Sequence, residues 1–142
     1  MREKYKNLTK DFEGLRLKPY KCSAGKLTIG YGRNLEDIGI SKEEAYMFFE
    51  SDFNRAVEDA KKLCEAFNIN YRHLSESRFY VLTDMMFNLG YDRLSQFKKM
   101  LTALSKSDYD SAAKEMLDSK WAKQVGRRAT FLESLMRHEN VV

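Results

Sequence analysis

Three residues near the N-terminus have side chains that could act together in catalysis: Glu13, Cys22 and Thr28. Eight residues separate the acid from the thiol, and five separate the thiol from the hydroxyl. A carboxyl that is partly desolvated by a cleft can donate a proton near neutrality, and a thiol beside a hydroxyl can orient and polarise a water molecule. A proton donor opposite a positioned water is the arrangement that hydrolyses an acetal with inversion. Spacing alone does not single out this chemistry.

The acid is predicted to lie at the end of a helix. Tyr5, Leu8 and Phe12 fall at i, i+3 and i+7, which is the apolar stripe of a short amphipathic helix that ends near Glu13. Gly14 is predicted to follow the helix in the left-handed conformation. A carboxylate in the last turn opposes the helix dipole, and this unfavourable position favours a functional role. The alternative is that Glu13 is a surface residue at a frayed helix end.

The thiol and the hydroxyl are predicted to lie on the two arms of a hairpin, because residues 15–35 have an extended pattern. Gly25 is expected to supply a positive φ in the turn, while Gly30 and Gly32 indicate a bend or a close approach of the backbone. Gly30-Tyr31-Gly32 is not a dinucleotide-binding fingerprint, since the third glycine and the downstream acid are missing.

A long helix is predicted next. Ser41 and Glu44 form a capping box, and apolar residues then recur every three or four positions as far as Phe67, which predicts about seven turns. Cys64 lies on the apolar stripe and is predicted to be a small buried core residue. The following helix, around residues 74–89, is apolar around most of its circumference, as is typical of a buried helix.

The remaining sequence predicts shorter helices. One pattern runs from Leu94 to Leu104, a second begins at an Asp108 N-cap, and a last one starts near residue 127. Trp121 is predicted to anchor the core. Asn88 is the polar exception near the exit of the apolar helix, where it either faces a cleft or helps to cap the helix end.

The predicted architecture is therefore α+β and mainly helical, in a single domain spanning residues 1–142. A hairpin lobe of about residues 14–40 is joined by a connecting helix of about residues 41–67 to a helical lobe. That lobe contains residues 1–13 and 68–142, and a cleft is expected between the two lobes.

Composition limits the possible partners. The formal net charge of +4 and the pI near 9.0 suit an anionic partner such as nucleic acid, an acidic polymer or a membrane surface, although there is no dense basic block. The two cysteines and two isolated histidines predict no disulfide framework and no metal site. The chemistry of an acid and a positioned water implies no cofactor. The N-terminus has no apolar core of a signal peptide, and no apolar run approaches about 20 residues, so we expect no membrane anchor.

The sequence resembles the phage-type lysozymes, the family of bacteriophage T4 lysozyme and the lambdoid endolysins. Their signature is Glu, eight residues, Asp or Cys, five residues, Thr, within a context like EGLRLKxYxDxxGxxTIGxG. The matching positions here are Glu13–Lys18, Tyr20, Cys22, Gly25 and Thr28–Gly32. The resemblance continues through Ile40–Ala45, Met86–Gly90, Phe97, Tyr109, Ala112-Ala113, Trp121 and Arg127-Arg128, so nearly the whole chain is covered.

The resemblance implies a lysozyme-like fold and a muramidase that cleaves the β-1,4 bond between N-acetylmuramic acid and N-acetylglucosamine in peptidoglycan. Glu13 would be the general acid, and Thr28 would help to hold the attacking water. Cys22 takes the position that usually holds Asp, and a thiol there makes oxidation a possible means of inactivation. Inversion at the anomeric carbon is the family expectation.

The resemblance also implies substrate-binding residues. Asn88 would line the saccharide cleft, and Tyr31 is a further candidate. Arg128, or else its neighbour Arg127, would be the basic residue that faces Glu13. Two departures stand out: Arg33 replaces a histidine that is common in relatives, and the hairpin lobe is shorter than in T4-type enzymes. A familiar ion pair between the lobes is therefore expected to be replaced or absent.

The same resemblance implies a monomer with no nucleic-acid partner. The enzyme would wait in the host cytoplasm until a holin-like pore releases it to the periplasm and cell wall. Three alternatives stay open. These are a lytic transglycosylase, which needs the acid but no positioned water; a non-catalytic helical domain that binds peptidoglycan or nucleic acid; and a degenerate lysozyme with a structural or regulatory role, suggested by the exchange at Cys22.

Overall fold

The computed structural model describes residues 1–139 and divides the chain into two compact units, Met1–Phe48 and Phe49–Val142. We call them the sheet unit and the helical unit. The sheet unit contains one helix followed by a small antiparallel sheet, and the helical unit contains helices alone among its described residues. The predicted α+β, mainly helical fold class is confirmed.

Helix α1 (Glu3–Glu13) ends at the residue that the apolar pattern predicts. The amide of Gly14 donates to the carbonyl of Lys10 at 2.9 Å and closes the last turn. Gly14 has φ 73° and ψ 161°, so the prediction of a left-handed conformation was right for φ but wrong for ψ. An extended ψ is needed because the chain enters a strand only two residues later, and a glycine adopts this combination at little steric cost.

The sheet has three strands, one more than the predicted hairpin. Strands β1 (Arg16–Lys21), β2 (Leu27–Gly30) and β3 (Arg33–Asn34) pair in the order β1-β2-β3, all antiparallel. Strand β3 was not predicted because two residues are too few to show an alternating pattern.

Strand β2 is central and carries the residue of the sheet unit that is most deeply buried. Thr28 pairs with Tyr20 on one side and with Asn34 on the other, and it is 3% exposed. The register of β1 against β2 shifts between Arg16 and Tyr20. Pro19 lies in this irregular stretch, and its missing N–H is tolerated because β1 is an edge strand.

Helix α2 (Lys42–Ala66) begins with the predicted capping box. The amide of Glu44 donates to Ser41 Oγ at 3.1 Å, and the amide of Ser41 donates to Glu44 Oε1 at 2.8 Å. Arg33 Nη1 also donates to Glu44 Oε1 at 2.9 Å and to the carbonyl of Gly39 at 3.0 Å. The arginine that replaces the expected histidine therefore forms its ion pair within the sheet unit, where it ties β3 to the start of α2.

This ion pair predicts a defined acid response. The hydrogen bond from Arg33, followed by the backbone amide of Ser41, lowers the pKa of Glu44 to about 2. Because the folded pKa lies below the ordinary value of 4.5, the contribution to stability is complete above about pH 4.5 and is lost as the pH falls through about 2. We expect the difference in melting temperature between the wild type and Glu44→Gln to be constant from pH 6 to about pH 5 and to shrink towards pH 2. A difference that grows on acidification would contradict this.

The helical unit contains the rest of α2, a 3₁₀ turn (Tyr71–His73) and six further helices among its described residues. These are α3 (Glu76–Leu89), α4 (Tyr91–Leu94), α5 (Lys98–Ser105), α6 (Tyr109–Leu117), α7 (Lys120–Val125) and α8 (Arg127–His138). Side-chain oxygens of Ser75, Asp108 and Ser119 cap α3, α6 and α7, and the Asp108 cap was predicted. The continuous pattern from Leu94 to Leu104 is instead broken at Phe97, whose ψ is 55° and whose ring packs edge-on against Trp121.

The core of the helical unit is made from the inward faces of α2, α3, α5, α6 and α8. Its largest fully buried side chains include Leu63, Leu82, Met85, Leu101, Met116 and Leu132. Cys64 is fully buried and Trp121 is 3% exposed, so both core predictions are confirmed. Within residues 1–139, no helix combines the length and the apolar character that a membrane span requires.

Candidate active site

Glu13 is exposed at the end of α1, and its carboxylate lies against the backbone of Gly32. A Cβ atom built on Gly32 would be 2.7 Å from Glu13 Oε2 and 3.2 Å from its Cδ. Gly32 has φ +85°, a conformation that favours glycine. The close approach predicted at this glycine is therefore confirmed, and the atom it approaches belongs to the candidate acid.

A second contact from the same face of α1 reaches the neighbouring residue of this turn. Lys10 Nζ lies 5.4 Å from the centre of the Tyr31 ring, and Lys10 is three residues before Glu13. The last turn of α1 thus lies along Tyr31-Gly32, between β2 and β3. The Tyr31 side chain is 47% exposed, and its role with substrate stays a prediction.

The Cys22 thiol and the Thr28 hydroxyl are brought together by the turn between β1 and β2. The amide of Gly25 donates to the carbonyl of Cys22 at 2.8 Å, and the amide of Cys22 donates to the carbonyl of Lys26 at 3.0 Å. Gly25 has the positive φ that the sequence predicts. Thr28 Oγ1 donates its proton to the carbonyl of Lys26 at 2.8 Å, so the lone pairs of this hydroxyl are left to accept.

The same turn stabilises negative charge on the sulfur. The backbone amide of Lys26, and then that of Ala24, lower the pKa of the Cys22 thiol. Each is a hydrogen bond that favours the charged form. Cys22 therefore forms a thiolate more readily than an ordinary cysteine does.

The two cysteines provide an internal comparison that tests the lowered pKa of Cys22. Both are free thiols, but burial raises the pKa of Cys64 to about 12. With iodoacetamide at pH 7.5, we expect native protein to be alkylated at Cys22 and not at Cys64. The rate at Cys22 should rise with pH through a midpoint below about 8.5, the value of a free cysteine. Peptide mass spectrometry measures both sites. A Cys22 midpoint at or above that value would contradict the prediction, and alkylation of Cys64 after denaturation is the control.

The side chain of Asn88 bonds to a distant residue instead of capping the end of α3. Its Oδ1 accepts a hydrogen bond from Trp121 Nε1 at 2.7 Å, which satisfies the polar group of a buried indole. Asn88 itself is exposed, so its amide nitrogen is left to donate outward. Its predicted place in a saccharide cleft stays a prediction.

Arg128 is held in a fixed geometry and Arg127 is exposed at the start of α8. Arg128 Nε donates to Asp84 Oδ2 at 2.7 Å, and this hydrogen bond raises the pKa of Arg128. Tyr80 donates to the other oxygen of Asp84 at 3.4 Å. The pairing of either arginine with Glu13 stays a prediction.

Asp84 is the residue that sequence reasoning missed. Its helix is predicted to be apolar around most of its circumference, and Asn88 is named there as the polar exception near the exit. The spacing of polar residues could have revealed it. Tyr80, Asp84 and Asn88 are four residues apart and therefore share one face of α3. That face supplies the hydrogen-bond partners of Arg128 and Trp121.

The helical unit also contains a cavity of about 510 Å³ that the sequence did not predict. Its volume is in the range of small-molecule sites. Phe97 and Trp121 contribute aromatic surface, and the lining is of mixed charge, with Arg93, Lys98, Lys99, Lys120, Glu115 and Asp118. Elsewhere in the described part of the chain, no group of three or more His, Cys, Asp or Glu side chains is placed to hold a metal ion.

Comparison with known proteins agrees with the resemblance. The family model described as phage lysozyme matches residues 10–140. An endolysin of Acyrthosiphon pisum secondary endosymbiont phage 1 is 31% identical over 92% of this chain and 86% of the relative. A probable T4-type lysozyme 2 of Dictyostelium discoideum is 27% identical over 87% of this chain and 88% of the relative. An endolysin of Bacillus phage B103 is 32% identical over 85% of this chain, which corresponds to 45% of that longer protein.

Proposed function

The chain belongs to the phage lysozyme family, and from this premise we propose that Glu13, Cys22 and Thr28 are its catalytic residues. It is a glycoside hydrolase of the lysozyme type, an endolysin-like muramidase that hydrolyses the β-1,4 bond between N-acetylmuramic acid and N-acetylglucosamine in peptidoglycan.

The observation that carries the assignment is the arrangement around Cys22. The backbone amides of Lys26 and Ala24 lower the pKa of the Cys22 thiol and so favour its thiolate. In the mechanism that we propose, this thiolate takes the place of the aspartate in the family signature. The exchange of carboxylate for thiol is therefore compatible with activity, and it does not require a degenerate enzyme.

In the mechanism that we propose, the water lies between Cys22 and Thr28. The Thr28 hydroxyl has its proton engaged with the Lys26 carbonyl, so its oxygen accepts a hydrogen bond from the water. The water oxygen attacks the anomeric carbon of N-acetylmuramic acid, and its proton passes to the Cys22 thiolate. Glu13 donates its proton to the glycosidic oxygen as that bond to the anomeric carbon breaks. The anomeric configuration inverts because the water attacks opposite the leaving group.

We assign saccharide binding to Tyr31 and to Asn88. Both are exposed, and an aromatic ring and an amide are side chains that suit a sugar's apolar face and its hydroxyls. Of the two arginines, we assign the substrate-facing role to Arg128, because Asp84 holds its guanidinium in place. Arg127 remains the alternative.

We also propose the biological setting that the family membership suggests. The chain acts as a monomer and as a single catalytic domain, and it needs no cofactor. It remains in the host cytoplasm until a holin-like pore releases it to the peptidoglycan of the periplasm.

The function is tested by incubating the purified protein with Gram-negative peptidoglycan and measuring new reducing ends and soluble muropeptides. We expect both to increase with time. A parallel assay measures DNA binding between 50 and 200 mM salt, because a basic binding module would lose affinity steeply over this range. Absence of soluble products together with strongly salt-dependent DNA binding would overturn the enzymatic function.

A further inference from the structure

We infer that Gly32 is a positioning residue for Glu13. Because Gly32 has no side chain, the carboxyl group of Glu13 occupies the space that a Cβ atom would fill. The inference rests on the proposed function and extends it. Gly32 touches no reacting atom in this account. It acts only through the position of the Glu13 carboxylate.

The evidence is a contrast among the glycines. The chain has seven glycines, and all of them have positive φ. A Cβ built on Gly14, Gly25, Gly30, Gly39, Gly90 or Gly126 would meet nothing within 4 Å. Only at Gly32 would it meet a side chain, and its three nearest atoms all belong to Glu13. Backbone conformation therefore accounts for glycine at the other six positions, whereas position 32 has a second, steric requirement.

The exposed side chain of Glu13 is the part that has to yield to an added methyl group at position 32. Its helix is held to the same turn by the Lys10–Tyr31 contact, one helical turn away. A Cβ at 2.7 Å from Oε2 is too close for any real contact, so the carboxyl group has to move. The movement is taken up by the side chain of Glu13, because the helix and the turn are fixed by their own hydrogen bonds.

A displaced acid has a specific kinetic consequence. Misplacement of a catalytic group by about 1 Å can cost about 100-fold in rate. Substrate binding elsewhere is unaffected, so kcat falls while KM stays nearly constant. A defect that merely loosened the sheet unit would change KM as well.

The matched controls are Gly30→Ala and Gly39→Ala. Gly30 has φ +71° and Gly39 has φ +67°, close to the +85° of Gly32, and neither has an atom near the added methyl group. All three variants thus carry the same kind of backbone strain. We expect Gly32→Ala to lose about 100-fold in kcat, and the two controls to lose less than about 3-fold after correction for folded fraction. An equal loss in all three would overturn the inference.

If Gly32→Ala folds poorly, a double-mutant cycle measured by thermal melting tests the same contact between Gly32 and Glu13. Thermal melting is measured for Gly32→Ala in the wild-type background and in a Glu13→Ala background, where the obstructing carboxylate is absent. We expect Gly32→Ala to lower the melting temperature more in the presence of Glu13 than in its absence. Gly30→Ala is expected to have the same effect in both backgrounds. Additive effects at position 32 would overturn the inference.

The cycle also separates the two hypotheses, because melting does not depend on activity. An inactive wild-type protein with coupling between positions 13 and 32 would overturn the proposed function while supporting the contact. An active protein without coupling, and with Gly32→Ala as active as Gly30→Ala, would overturn only the role of Gly32.

Discussion

Replacing Glu13 with glutamine is expected to reduce peptidoglycan hydrolysis by between about 10²- and 10⁴-fold, the usual contribution of a general acid. Glutamine keeps the shape of the side chain and its place against Gly32, but its amide has no acidic proton to transfer to the glycosidic oxygen. The substitution also removes a negative charge from the C-terminal end of α1, where the helix dipole disfavours it. We therefore expect a melting temperature equal to or slightly above that of the wild type. Kinetics of muropeptide release and thermal melting measure the two effects.

Asp11→Asn is the control for this prediction. Asp11 is also acidic and exposed on α1, two residues before Glu13. Its variant is expected to remain as active as the wild type. Activity in Glu13→Gln within 10-fold of the wild type would remove Glu13 from the mechanism, while equal losses in both variants would attribute the effect to the charge of α1.

The largest expected loss of stability is at Arg78, which caps the last helix. Its Nε donates to the carbonyl of Met136 at 2.7 Å, and Nη2 donates to the carbonyl of Arg137 at 3.0 Å. The guanidinium also lies 3.6 Å from the centre of the Tyr109 ring and 8% of the residue is exposed. Carbonyls in the last turn of a helix have no hydrogen-bond partner within the helix, so these two carbonyls depend on the Arg78 side chain for their hydrogen bonds.

Arg78→Met should therefore lower the free energy of unfolding of the helical unit by about 3 kcal/mol, because it leaves carbonyls of α8 without their charged donor. The corresponding fall in melting temperature is about 10 °C. Fluorescence of Trp121, the single tryptophan, reports on this unit directly. Arg72→Met is the control, since Arg72 is exposed in the 3₁₀ turn and stacks only on Tyr71. Equal destabilisation by the two substitutions would contradict the capping role.

Local sequence signals predicted the features whose causes are themselves local. The capping box of Ser41 and Glu44 and the cap of Asp108 depend on atoms three residues apart, and both are found in the structure. The end of α1 at Glu13 and the positive φ of Gly25 are likewise fixed by the residues around them. The candidate catalytic residues depend instead on the family signature, and they stay a prediction.

The features that escaped prediction depend on contacts between distant residues. Arg78 binds carbonyls 58 and 59 residues away, and a backbone acceptor leaves no mark in the sequence. Asp84 binds Arg128 across 44 residues. The contact of Glu13 with Gly32 was only half predicted: the glycine indicated a close approach, but the partner could be identified only when α1 had been placed against the turn.

The position of water in the reaction is the central claim of this account, and digestion of peptidoglycan in water enriched with oxygen-18 tests it most directly. Attack by a water held between Cys22 and Thr28 places one labelled oxygen on each new N-acetylmuramic acid reducing end, and mass spectrometry of the released muropeptides is expected to find that label in proportion to the enrichment. Release of 1,6-anhydro-N-acetylmuramic acid ends without label would show that the bond is broken by transglycosylation, and Cys22 and Thr28 would then have no water to position.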